Sequence, residues 1–302
     1  MSEEKLTLIE APWSRVKEAA RIKAGGGLSY ADAFVLGLAR EIMAPEYNRG
    51  DDKMTLYEKI GLYKASIDER RPFEGASLDE IKAYYRIGLT WSSNAIEGNT
   101  LTESETKVLL EDGLTVGGKP LKDILEALGH AKAYDFIFTL LRNRRITEAD
   151  ALTMHQMFYR EIDAEAAGRY RTRPVMVTGS KYAVCKPERI QNEINQLFQW
   201  VAKERYKYHP VEFAAQLHKR FVFIHPFIDG NGRISRLLMN TALIQDGYVL
   251  AIIPPVLRHE YITLLEKAHK DDRPFMDFIA ERVMESQKEI IRLLHIPFPK
   301  LG

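Results

Sequence analysis

Apolar residues recur at helical spacing along most of the 302-residue chain. In residues 29–43, SYADAFVLGLAREIM, apolar positions fall three and four apart behind Ser29, a residue type that caps helix starts. The same spacing predicts helices over 77–99, 102–113, 121–143, 147–162, 186–205, 210–224, 232–246, 256–270 and 274–294. Two starts carry the capping-box pattern: Ser77 with Glu80, and Thr102 with Glu105. One segment breaks the period. GRYRTRPVMVTGSKYAVCKP, residues 168–187, is rich in β-branched and aromatic side chains around a Thr178-Gly179-Ser180 turn. It predicts a β-hairpin over 169–185, leaning on the helices because an isolated hairpin is marginal in water. Loops are expected at 25–27 and 44–55, separating a helical extension, residues 1–70, from a main body, residues 71–295. The fold class expected is mainly α, a helical bundle with one small hairpin.

Composition narrows the function classes. The chain is 45% hydrophobic and 28% charged, enough apolar surface for a sizeable core. A formal net charge of +1 supplies no global attraction to nucleic acid or an acidic membrane, so neither partner is expected. No apolar run reaches the roughly 18 residues that a membrane helix needs. The opening MSEEKLTLIE is acidic and polar, unlike a secretory leader, and Cys185 is the only cysteine. A soluble, cytoplasmic protein without disulfides or a cysteine zinc site is the expectation.

The chemistry concentrates in FVFIHPFIDGNGRISRLLMN. Pro226 ends the preceding helix, because it disfavours helical backbone at the residue before it. Gly230, Asn231 and Gly232 allow a turn whose N–H groups converge, and the next helix start adds its own unpaired N–H groups: an anion site suited to phosphate. Asp229 is a hard oxygen ligand of the kind Mg²⁺ uses beside substrate phosphates. Arg233 and Arg236 lie three apart on the new helix, in a first turn where the dipole opposes cations, and so call for an anion opposite. His225 at the mouth can accept a proton from a hydroxyl. Asp-Gly-Asn-Gly alone is a common turn; H-P-F-x-D-G-N-G-R-x-x-R, with nine defined residues in twelve, is not.

Residues 225–236 resemble the motif HPFx[D/N]GNGRxxR of the Fic (Fic/Doc, or Fido) family, matching each defined position. The resemblance extends over roughly 100–280 and implies a Fic-type helical bundle with the hairpin as its flap. It implies a protein adenylyltransferase that moves AMP from ATP, with Mg²⁺, to a hydroxyl of a target protein. His225 would be the base and Asp229 would hold Mg²⁺. Gly230, Asn231 and Gly232 would cradle the phosphates, with Arg233 binding phosphate and Arg236 reaching the γ-phosphate. Tyr261 is similar in position to a residue that packs on adenine, with core packing as the competing reading. The flap would pair with an extended segment of the target. Relatives often dimerise, so a homodimer is possible.

Ser93-Asn94-Ala95-Ile96-Glu97-Gly98 ends a predicted helix with an acid in the last turn, where the dipole disfavours one. Ser93 and Glu97 share a face, four residues apart. This stretch resembles the family's inhibitory motif [S/T]xxxE[G/N], on a helix spanning 78–97. There the glutamate pairs with the second motif arginine, here Arg236, and blocks the γ-phosphate seat, an intramolecular class II arrangement. In some members it serves AMP removal instead, and the sequence leaves both roles open. Phosphotransfer as in the Doc toxins is disfavoured by Gly232, where those carry Lys. Transfer of another phosphate-containing group and a non-catalytic regulatory role remain alternatives. His209 and His218 read as structural, Asn240 as a backbone bridge behind the site, and His259-Glu260 as no zinc site.

Overall fold

The computed structural model describes residues 54–72, 75–115, 117–141 and 145–301. The predicted helix at 29–43 and the loops at 25–27 and 44–53 lie outside them. Residues 56–300 form one compact unit. Its helices are α1 (Leu56–Asp68), α2 (Gly75–Ile96), α3 (Glu103–Lys107), α4 (Leu121–Ile137), α5 (Glu148–Tyr159), α6 (Ile190–Glu204), α7 (Pro210–Ile224), α8 (Asn231–Gln245), α9 (Arg258–Lys267) and α10 (Arg273–Leu293).

At the centre, α8 packs along α7. Nearly every side chain of α8 is buried, including Asn231, Arg233, Ser235, Arg236, Asn240, Thr241 and Gln245. A helix enclosed on all sides usually reads as apolar all round. This one is not, so its polar groups must find partners inside. Asn240 does so by bridging Ala251, donating to its carbonyl at 3.1 Å and accepting from its N–H at 2.7 Å. Arg205 reaches in to Gln245 at 2.6 Å and Asp246 at 3.0 Å. On α7, Pro210 fills the first turn and the His209 ring accepts from Val211 N–H at 3.3 Å. Around this pair, α4 packs on α5 and α2, while α10 closes the far side against α1.

Helix α1 was not among the predicted elements, although Leu56, Ile60, Tyr63 and Ile67 follow helical spacing. Ile60, Tyr63 and Ile67 are buried, and Gln287 of α10 donates to the Ile60 carbonyl at 3.1 Å. Helix α2 begins at Gly75, so Ser77 lies inside it and not at the N-cap. The Thr102–Glu105 capping box forms, with bonds of 3.2 and 2.8 Å, but α3 is short and continues as a π turn over Val108–Asp112. Helix α4 gives way at Phe138–Leu140 to a 3₁₀ turn.

The largest correction concerns 169–185. A turn forms at Thr178-Gly179, yet among the described residues no strands pair. The bonds that a ladder would supply come from side chains. Arg171 donates to the carbonyls of His225 at 2.8 Å, Arg173 at 3.1 Å and Cys185. At the tip, Glu266 accepts from Ser180 Oγ at 2.9 Å and Lys181 N–H at 2.6 Å. Strand propensity describes fit to a pleated neighbour, and here the neighbour is a guanidinium.

Candidate active site

The site is built where α7 hands over to α8. His225 caps α7 with φ +54° and ψ +58°, a left-handed conformation that costs a non-glycine residue on the order of 1 kcal/mol or more. Its surroundings impose it. The His225 N–H donates to Phe221 O at 3.1 Å, the Arg171 side chain holds the His225 carbonyl, and Arg171 N–H holds Pro226 O at 2.9 Å. Ring atom Nδ1 lies 3.3 Å from Val222 O. A carbonyl only accepts, so Nδ1 carries the proton and Nε2 is left with its lone pair. Burial pushes this imidazole below its ordinary 6.5, keeping it neutral at neutral pH.

The turn that follows is braced from both sides. Asn231 accepts from Phe227 N–H at 2.8 Å and donates back to Phe227 O at 2.9 Å. His155 accepts from Gly168 N–H through Nδ1 at 2.9 Å, so its Nε2 donates to Asp229 O at 3.2 Å. Its ring lies flat on Phe227 at 3.7 Å. Gly230 takes φ +80° against the Phe158 ring, where a Cβ would sit 2.8 Å away.

Three carboxylates meet the cations of the helix start: Asp229, Glu126 and Glu97. Asp229 Oδ1 accepts from Gly230 N–H at 2.6 Å and from Arg233 Nη2 at 2.9 Å, while Oδ2 faces Lys122 Nζ at 3.4 Å. Burial works to raise this carboxyl, but Arg233, the Gly230 N–H and Lys122 outweigh it and hold it below its ordinary value. Arg233 also pairs with Glu126 at 2.9 Å and lies over the Phe158 ring. Arg236 is 2% exposed. Its Nε donates to Ser93 Oγ at 2.9 Å, and its Nη2 to Ser93 O at 2.8 Å and Glu97 Oε1 at 2.7 Å. Glu97 is likewise opposed by burial and held below its usual range by Arg236 and Arg233. The carboxylate lies against Gly232, where a Cβ would come within 2.2 Å of Oε1. A glycine is required for this approach.

The structure therefore brings His225, Asp229, Gly230, Asn231, Gly232, Arg233, Arg236, Ser93 and Glu97 together. Tyr261 meets them only through Arg236. It is 1% exposed, its hydroxyl lies 2.9 Å from His218 Nε2 and accepts from Arg236 Nη1 at 3.4 Å, and its ring has no open face for adenine. It supports Arg236 from behind. Sequence reasoning missed Glu126, Lys122, Arg171 and His155, all of which reach the motif from distant parts of the chain. Among the described residues no group of three or more His, Cys, Asp or Glu could hold a metal ion. No helix among them is long and apolar enough to cross a membrane. Chemically, the arrangement offers an accepting ring nitrogen beside a glycine turn and two buried guanidinium groups: a polyanion seat next to a base.

Comparison with known proteins bears on this arrangement. Residues 145–243 match the family model described as Fic/DOC family. A protein adenylyltransferase Fic from Nematostella vectensis is 39% identical over 194 residues, covering 63% of this chain and 45% of that protein. One from Drosophila virilis is 38% identical over 250 residues, covering 80% of this chain and 50% of the relative. The chain thus spans half or less of the length of these curated relatives. Among solved structures, a Fic domain containing signaling protein from Bacteroides thetaiotaomicron superposes with TM-score 0.72 at 28% identity, covering 78% of this chain and 97% of that one. Fic-1 from C. elegans superposes equally well, at TM-score 0.72 and 27% identity, covering 93% and 83%.

Proposed function

We propose that this chain, whose residues 145–243 match the Fic/DOC family model, is a protein adenylyltransferase that transfers AMP from ATP to a hydroxyl side chain of a target protein and is restrained by Glu97. The observation that carries this reading is the Arg236–Glu97 pair at 2.7 Å, with an acid lying on the glycine turn where a terminal phosphate would lie. A buried guanidinium needs an anion in either state, so the internal carboxylate and the nucleotide compete for it.

In the transfer, Nε2 of the neutral His225 takes the proton of the target hydroxyl. The oxygen attacks the α-phosphorus, the bond from that phosphorus to the bridging oxygen breaks, and pyrophosphate leaves with the electron pair. The N–H groups of Asn231 and Gly232 at the start of α8 and the guanidinium of Arg233 would face the developing charge from a preorganised position, while the Gly230 N–H is committed to Asp229 Oδ1. Asp229 fits an Mg²⁺ ligand. Its Oδ1 is committed to Gly230 and Arg233, while Oδ2 already faces a cation, the Lys122 ammonium. One carboxylate beside phosphates is a usual Mg²⁺ donor set, and the bound ion would neutralise phosphate charge. The segment 169–185 is the flap on which the target's extended segment docks. In support, Met176 is 95% exposed there and leaves an apolar side chain for a partner to cover. The catalytic body, expected over 71–295, takes in α1 as well, since residues 56–300 form one compact unit.

Removal of AMP is a second reading, favoured by one observation. Glu97 bonds Arg236 through Oε1, and on this partly exposed side chain Oε2 is left to orient a water.

The test is Glu97→Gly with α-labelled and γ-labelled ATP. Label from the α position on protein is expected to rise about ten- to a hundred-fold, equivalent to about 1.4–2.8 kcal/mol of released restraint. Label from the γ position alone would make the protein a kinase. No label with either nucleotide would support the non-catalytic alternative.

A further inference from the structure

Glu97 does not sit on a free end. After α2 the chain passes through Glu97 and Gly98, and this two-residue bridge is clamped on both sides. Upstream, Arg258 Nε donates to the Ile96 carbonyl at 2.5 Å. Downstream, Asn99 Nδ2 donates to Asp123 O at 2.9 Å and to Glu126 Oε2 at 3.0 Å. Thr100 places both its N–H and its hydroxyl on Asp123 Oδ2, at 2.7 and 2.6 Å. Lys119 caps the Thr100 carbonyl at 2.6 Å. Asp123 and Glu126 belong to the first turns of α4 and are buried. Glu126 divides its carboxylate, with Oε2 on Asn99 and Oε1 on Arg233 at 2.9 Å. One side chain therefore orients both the restraining segment and a phosphate-facing arginine.

We propose that Asn99 and Thr100, anchored on Asp123 and Glu126 of α4, are positioning residues that hold Glu97 in its restraining pose on Arg236. This rests on the reading of Glu97 as an internal competitor of ATP. The physical reason is preorganisation. A carboxylate on an unclamped loop would lose backbone freedom each time it engaged Arg236, and the clamp removes that cost beforehand. Ser93, one turn earlier in α2, still ties Arg236 to the helix when the clamp is opened. Loosening it therefore weakens the competitor without removing the arginine's other partners.

The experiment measures α-label incorporation and binding of a non-hydrolysable ATP analogue for Asn99→Ala and Thr100→Val, each in the full chain and in a Glu97→Gly background. In the otherwise unchanged chain, Asn99→Ala is expected to raise incorporation about five-fold, the scale of one ordinary hydrogen bond, and to tighten analogue binding by a similar factor. Thr100→Val, which keeps the backbone bond, gives about half that factor. In the Glu97→Gly background both substitutions change either readout less than about two-fold, because nothing remains to position. Equal losses in both backgrounds would assign these residues a merely structural role and overturn the proposal. So would a rise on Glu97→Gly with no rise on Asn99→Ala or Thr100→Val. If Glu97→Gly itself produced no rise, the competitor reading would fail and take the proposal with it.

Discussion

The turn over residues 225–236 and the segment over 169–185 meet through Arg171 and are built in opposite ways. In the first, each group is held from several directions: His225 by Phe221, Val222 and Arg171, Asn231 by both backbone atoms of Phe227, and Asp229 by Gly230, Arg233 and His155. In the second, no strands pair among the described residues, and side chains hold the backbone at its base through Arg171 and at its tip through Glu266. Under the proposed function the difference would separate two tasks. Charge stabilisation needs donors that do not reorganise when the reaction occurs. A docking segment gains by leaving backbone groups for the partner to satisfy. Arg171 belongs to both regions, since one guanidinium pins the His225 carbonyl and the two limbs of the segment.

Two substitutions break the comparison at its two ends. His225→Ala in the Glu97→Gly background should lower α-label incorporation about a thousand-fold, the range for losing a general base, while analogue binding stays within about two-fold. A loss confined to binding would remove His225 from the proton transfer. Glu266→Ala acts on the other region alone. It takes two bonds from the tip, so the KM for the target protein should rise about five-fold while the KM for ATP holds. Were ATP binding to weaken as much, the two regions would not be separable.

What the sequence revealed followed the range of each interaction. The motif was legible because its residues act on one another within a turn of chain, as did Ser93 and Glu97, four apart on one helical face. Glu126 and Lys122 were not, because their partners Arg233 and Asp229 lie in another helix and the turn before it, and nothing in LKDILEALG marks which carboxylate will be buried. Helix α1 carried the spacing of Ile60, Tyr63 and Ile67, but its burial depends on α10 at the far end of the unit. The hairpin failed for the converse reason. Val175, Val177 and Tyr182 favour strands, yet a strand needs a partner, and Arg171 supplies carbonyl contacts in place of a ladder. Tyr261 sat where the resemblance put an adenine neighbour, and only the packing against His218 and Arg236 shows that its ring is enclosed.

The smallest effect expected is a displacement in pH, and it sharpens the contrast because it reports the rigid region alone. In the proposed transfer His225 acts as the neutral base, and burial lowers its pKa below the ordinary 6.5. The acid limb of kcat/KM in the Glu97→Gly protein should therefore fall below pH 6.5 and flatten above it. A limb at or above 6.5 would contradict the buried, neutral imidazole. Stability must be followed over the same range. His130 and His218, pushed down to about 3, and His155, to about 4, are buried as neutral rings. Their folded values lie below the unfolded one, so the stability they contribute is complete above pH 6.5 and declines as pH falls toward the folded values. Each group removes at most ~1.4 kcal/mol per pH unit in that window. The kinetic limb is thus to be read with the melting temperature followed at each pH, and only where the protein stays folded at the assay temperature. A slope there that vanishes in His225→Ala, with residual activity flat in pH, would place the titration on that ring and not on unfolding.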